Sequence, residues 1–362
     1  MALLAPTVDP ASRTASAGSQ HARPRGSLQF DGLFILMCCW FVGGLHLDGW
    51  AHNHIPDLET FFTPWHAALY SGYGASAAVL VITLLRNHTH GYGWRRALPS
   101  GYGVSLAGAA VFAVGGVLDM LWHLLFGIER SVEALLSPTH LLLATGAVLM
   151  ITGPLRAAWD RLPGRDSFTW RTGFPALLSL TLVLSLLAFF TQFAHPFVDN
   201  WAALGVQGTV TPFFDQALGI ASILLQTTAL MAVVLLLVWR WRLPFGMLTL
   251  LLVLSTALIS VMHDQQPWIA VAFVVGLLAD LLYRRLRPSA ERRLPLRAFA
   301  FALPSLLYSL YFIGMIAHDG GIGWSVHLWV GSTVMAGMVG LLLSYLVVPL
   351  QLPPDEALVV RE

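Results

Sequence analysis

Hydrophobic positions in this chain gather into long unbroken runs rather than alternating or amphipathic patterns. The runs fall at 31–52, 63–86, 101–126, 138–159, 173–194, 211–239, 244–263, 265–283, 298–317 and 324–349. A helix needs roughly 17–25 predominantly apolar residues to cross the hydrocarbon core of a bilayer, so the pattern predicts an all-α polytopic membrane bundle of about ten transmembrane helices arranged in hairpins. The pair at 244–263 and 265–283 is joined only by the polar turn His263, Asp264, Gln265 and Gln266, a turn that also suits a re-entrant hairpin. Residues 1–29, rich in Ala, Ser, Pro and Arg, lack the short apolar core and cleavage site of a signal peptide and read as a disordered tail. The bundle is expected over 30–350, its first helix acting as the insertion signal, with a short C-terminal tail at 351–362.

Composition makes lipid the solvent. Of 362 residues, 56% are hydrophobic and only 11% charged, outside the range of a soluble globular domain. The bilayer is therefore the expected partner, and a net charge of +1 argues against nucleic acid as another. All 20 basic residues are arginine, and they sit in the N-terminal tail and in alternate loops. These are Arg13, Arg23 and Arg25; Arg86, Arg95 and Arg96; Arg156, Arg161, Arg165 and Arg171; Arg240 and Arg242; Arg284 to Arg297; and Arg361, with only Arg130 in the opposite set. By the positive-inside rule these loops and both termini are cytoplasmic, which makes the chain a multi-pass protein of the inner (plasma) membrane with an even number of spans.

Histidine distributes the other way. His46, His52, His54, His66, His123, His140, His195, His263, His318 and His327 lie at or near the opposite, extracytoplasmic helix ends, while only His21, His88 and His90 fall on the arginine side. Two hairpins share a pattern at these ends. Asp48 and His52 are followed by Thr63-Pro64-Trp65-His66, and Asp119 and His123 by Ser137-Pro138-Thr139-His140, each aspartate being preceded by a glycine pair, Gly43-Gly44 or Gly115-Gly116. The repeats at about 30–90 and 100–160 read as a duplication. Residues four apart share a helix face, so each Asp and His project together. Thr63 or Ser137 suits an N-cap and the proline after it the first helical position, which places His66 and His140 in the first turn of the returning helix. Each hairpin thereby aims one carboxylate and two imidazoles at one point, and a metal site at Asp48, His52, His66, Asp119, His123 and His140 is the reading that follows. An acid near membrane depth costs ~2.5–3.5 kcal/mol on insertion scales and is usually paired or functional, so Asp–His pairing without metal is the competing account. His54, His318 and His327 are secondary candidates, and a decayed version of the motif is visible at His195, Asp199, Thr211, Pro212 and Phe214. The tryptophans Trp50, Trp65, Trp122, Trp201, Trp268 and Trp324 read as an interfacial belt.

The run from Asp48 and His52 through Phe62-Thr63-Pro64-Trp65-His66 to Tyr70 resembles the copper-binding segment of the C subunit of particulate methane and ammonia monooxygenases. The resemblance covers about one hairpin in each repeat, and the family's neighbouring Asn-x3-His element has no counterpart here. It implies copper at Asp48, His52 and His66, and by extension at Asp119, His123 and His140. It also implies oxidation of a small, apolar substrate and work alongside partner membrane subunits. Ligand chemistry alone admits zinc as the second choice, since imidazole and carboxylate suit both metals and thiolate is absent from the pattern. That choice would make the chain a membrane hydrolase, with Glu59, Glu129 or Glu133 as base. A non-enzymatic metal-binding or transport protein and a b-haem electron carrier complete the alternatives.

Overall fold

The computed structural model describes residues 23–55, 63–127, 132–204 and 212–349. All regular elements among them are helical, and eight helices are long and apolar enough to cross a membrane. The expected all-α multi-pass bundle is thus what the chain forms. The chain divides into two compact units, Met1–Phe190 and Thr191–Glu362.

The first unit contains α1 (Leu28–His54), α2 (Pro64–Thr89), α3 (Gly103–Phe126), α4 (Pro138–Ile151), α5 (Gly153–Arg161) and α6 (Trp170–Phe190). Helix α1 starts within the stretch read as tail, because Ser27 caps it by accepting a hydrogen bond from the Phe30 amide at 3.1 Å. The fourth apolar run is interrupted at Thr152, where Gly153 and Pro154 follow and proline cannot supply the amide that would continue the α4 ladder. Helices α1 and α2 form one antiparallel hairpin, and α3 and α4 another.

The two hairpins share their main packing positions. Gly44 lies against the backbone of Leu69 and Gly72 against that of Phe41; in the second hairpin Gly115 meets Leu143 and Gly146 meets the backbone of Phe112. One constant shift carries Phe41, Gly44 and Asp48 onto Phe112, Gly115 and Asp119, and another carries His66, Leu69 and Gly72 onto His140, Leu143 and Gly146. The glycine pairs seen in the sequence are therefore offset. Gly44 and Gly115 correspond, whereas Gly43 faces open space and Gly116 accommodates Tyr70. The hairpins meet through α2 and α3, where the Tyr73 hydroxyl donates to the Ala109 carbonyl at 2.8 Å and its ring stacks on Phe112. Away from these seams the surface is apolar: Ile82, Leu124, Leu125 and Phe126 are all more than half exposed, as lipid-facing side chains are.

At the far end of α1 from Asp48, the buried Asp31 accepts hydrogen bonds from Tyr102 at 2.6 Å and from Arg161. Arg156 adds bonds to the Gly101 carbonyl, the Ser105 hydroxyl and the Leu149 carbonyl. These arginines satisfy carbonyls and a carboxylate that lipid could not.

The second unit contains α7 (Phe213–Arg240), α8 (Met247–Met262), α9 (Pro267–Leu286), α10 (Arg293–His318) and α11 (Val326–Val347). The third predicted hairpin, 173–194 with 211–239, is divided: its first helix belongs to the first unit, and α7 packs on α11 within the second. Helix α8 has only 16 residues, short of a full crossing. Asp280 of α9 caps it, accepting from the Thr249 amide at 3.0 Å and the Thr249 hydroxyl at 2.6 Å. Arg297 of α10 donates to the carbonyls of Ser344 and Val348 at the end of α11 and lies over the Tyr345 ring. Trp268 and Trp324 depart from the predicted belt. Both are buried, Trp268 against Phe197 and Tyr311 and Trp324 beside Phe312.

A Cβ on Gly72 would lie 2.5 Å from the Phe41 amide nitrogen, and one on Gly146 2.6 Å from that of Phe112. Gly72→Ala and Gly146→Ala should each destabilise the protein by about 1–3 kcal/mol, the usual cost of overpacking, read as a lower thermal midpoint in detergent. Gly74→Ala, in open space on α2, should match or slightly exceed the parent.

Candidate metal centre

Both candidate sites lie in the first unit and are assembled by the same local rules. Asp48 and His52 sit one helical turn apart in the last turns of α1, and Asp119 and His123 likewise in α3. Across each hairpin Thr63 caps α2 by accepting from the His66 amide at 3.1 Å, and Ser137 caps α4 by accepting from the His140 amide at 3.4 Å. Pro64 and Pro138 occupy the first helical positions, as the sequence implied.

The predicted residues come together as two triads. Asp48, His52 and His66 each offer one donor atom, as do Asp119, His123 and His140, and within each triad these atoms lie within 4.8 Å of one another. In the first, Asp48 Oδ1 is 3.3 Å from His66 Nδ1 and Oδ2 is 3.8 Å from His52 Nε2. In the second, Asp119 Oδ1 is 3.4 Å from His140 Nε2 and Oδ2 is 3.4 Å from His123 Nε2. Such separations exceed the 2.7–3.2 Å range of a well-formed N–H···O hydrogen bond. Three of the four are close to the ~3.4 Å between ligands that each stand about 2.1 Å from a tetrahedral ion, and the Asp48–His52 separation is longer. Asp48 Oδ1 is moreover buried and accepts no hydrogen bond, a situation that buried carboxylate oxygens rarely tolerate. The donor set and spacing could therefore hold a metal ion, and the same contacts also serve as Asp–His ion pairs.

The triads are also electrostatic neighbours. The charges of Asp119, His123 and His140 reach His66, and both Asp48 and Asp119 act on Tyr70. Tyr70 stacks its ring parallel to His66 with centroids 6.2 Å apart and lays its hydroxyl against Gly116, three residues before Asp119. The residue one step before His140 was part of the sequence motif but not singled out. Thr139, buried, donates its hydroxyl to Asp119 Oδ1 at 2.8 Å.

The secondary candidates do not join a third cluster among the described residues. His54 bonds back to the Trp50 carbonyl at 2.7 Å and stacks on that indole. His318 pairs with Asp319 at 2.7 Å, whose other oxygen accepts from Asn200, and His327 is exposed. Glu133 is exposed in a single turn, Glu133–Leu136. Glu59, Phe62, Glu129, Arg130, Thr211 and the outer parts of both tails lie outside the described residues. The decayed motif of the second unit takes a structural role. His195 is buried, its Nδ1 accepts from the Phe197 amide at 3.1 Å, and burial pushes its imidazole down to about 3.

Comparison of the chain with protein families, with curated proteins and with solved structures finds no match.

Because the folded state holds His195 neutral, with its imidazole lowered from 6.5 to about 3, unfolding binds a proton in that window, and stability should fall as pH drops from 6.5 toward 3. Asp199, pushed up by burial, acts with the opposite sign, so the test is the difference between parent and His195→Gln. The variant's unfolding midpoint should depend less steeply on pH in that window; equal slopes would contradict the assignment.

Proposed function

We propose that this chain is a multi-pass membrane protein that holds two transition-metal ions, one in each triad, and that it is a copper-dependent oxidoreductase acting on a small lipid-soluble substrate. The observation that carries the metal is the convergence of one carboxylate and two imidazoles in each triad, with donor atoms within 4.8 Å of one another, together with the buried Asp48 Oδ1 that accepts no hydrogen bond. The choice of copper rests on imidazole-rich ligation without thiolate and on the resemblance of the Asp48–Tyr70 segment to the copper-binding subunit of methane and ammonia monooxygenases. Copper held by these residues would supply one-electron chemistry.

The protein's own residues account for the rest. Asp48 and Asp119 supply the negative charge that offsets a cation near lipid, the capped first turns of α2 and α4 fix His66 and His140, and Tyr70 buttresses the His66 ring. The arginine distribution supports an extracytoplasmic position for both triads and cytoplasmic termini. Reporter fusions between Arg86 and Arg96 should then read as cytoplasmic, and the reverse would turn the site to the other face.

Elemental analysis of protein purified without chelators and reconstituted with copper should give two ions per chain, falling to one in a His52→Ala/His66→Ala variant. Retention of zinc against copper would favour the hydrolase alternative. Absence of metal in folded protein under every condition would remove the proposal.

A further inference from the structure

The two triads are copies in sequence but not in surroundings. Around the second, the ligands are held from behind. Asp119 Oδ1 accepts the Thr139 hydroxyl at 2.8 Å, His140 Nδ1 bonds the Ser137 hydroxyl oxygen at 2.7 Å and turns Nε2 toward Asp119, and His123 Nδ1 faces the Gly127 carbonyl at 3.3 Å. Each ligand nitrogen of this triad is thus the one left over after its ring is anchored. Outer partners of this kind fix imidazole orientation and typically change metal affinity 10–100-fold.

The first triad is arranged differently. The position equivalent to Thr139 is Trp65, which has no hydroxyl to give, and Asp48 Oδ1 accepts no hydrogen bond. His66 turns the same nitrogen, Nδ1, both to the Thr63 cap at 3.1 Å and to Asp48 at 3.3 Å. A metal taking that nitrogen must displace the cap contact. Two of its three ligands are also more open, His52 at 42% exposed against 15% for His123 and Asp48 at 10% against 3% for Asp119, while His66 and His140 are similar at 19% and 24%.

From these differences we propose, resting on the metal reading above, that the triads are unequal by construction. The second is a preorganised site that stays loaded, the first is the open site at which metal exchanges and external ligands bind, and Thr139 is the positioning residue that separates them. The duplication thereby yields one holding site and one working site rather than two equivalents.

The test is titration of the full chain in detergent with Cu(II) against a chelator of known affinity, followed by electron paramagnetic resonance. Two phases are expected. Asp119→Asn should remove the tight phase and Asp48→Asn the weak one. Thr139→Val should weaken the tight phase by about 10–100-fold, with the weak phase unchanged and so reporting an intact fold, and Thr139→Ser should restore it. Loss of the tight phase in Asp48→Asn, a single phase that takes up both ions, or no effect of Thr139→Val would overturn the inference while leaving a two-metal protein. Absence of copper binding at both triads would overturn it together with the metal reading.

Discussion

Two helix backbones can touch only where a side chain is missing, and in each of the first two hairpins a glycine provides that opening. Gly72 admits the Phe41 backbone and Gly146 the Phe112 backbone, about two turns from the respective triads. In lipid, where apolar side chains gain little by meeting one another, such close packing is a principal source of helix association. It also sets the gap across the hairpin. With the helices held this close, a carboxylate in the last turns of one helix stands 3.3–3.4 Å from an imidazole in the first turn of the next. Donor spacing across each hairpin depends on that approach, while the reach of one triad's charge to the other depends on the contact of α2 with α3 through Tyr73.

Charge placement divides the work along the first unit. At one end of α1 Asp31 is matched by Arg161 and Tyr102, a closed arrangement of donors and acceptors that asks for nothing further. At the other end Asp48 keeps a buried oxygen unsatisfied beside two imidazoles. The second unit has further examples of the closed kind. Asp280 caps α8, Arg297 terminates α11, and Asp319 is shared by His318 and Asn200. Asp31, Asp280 and Asp319 are thus held by donors of their own units, whereas Asp48 and Asp119 each stand beside two imidazoles in a group that could hold a metal ion.

Much of this was legible in the sequence, because it depends on local rules. Apolar run length gave the helices, four-residue spacing placed Asp48 with His52 and Asp119 with His123, and the Thr-Pro and Ser-Pro pairs placed His66 and His140 in a first turn. What escaped was set by tertiary context. The division of the third hairpin and the burial of Trp268 and Trp324 follow from which helices pack together, which run length does not encode. The shortness of α8 was foreshadowed only by the tight turn at His263–Gln266. Thr139 stood in the quoted motif, yet its bond to Asp119 needs the antiparallel register of α3 and α4. The departure of Trp65 from Thr139, visible in the aligned repeats, was the available signal.

The central claim is that a duplicated hairpin holds two metal ions, and anomalous scattering from crystals of the copper-loaded protein, recorded at the copper edge, tests it most directly. The account predicts two peaks per chain, one within bonding distance of Asp48, His52 and His66 and one within bonding distance of Asp119, His123 and His140. The absence of any peak at either triad, in a map that resolves the six side chains, would contradict it.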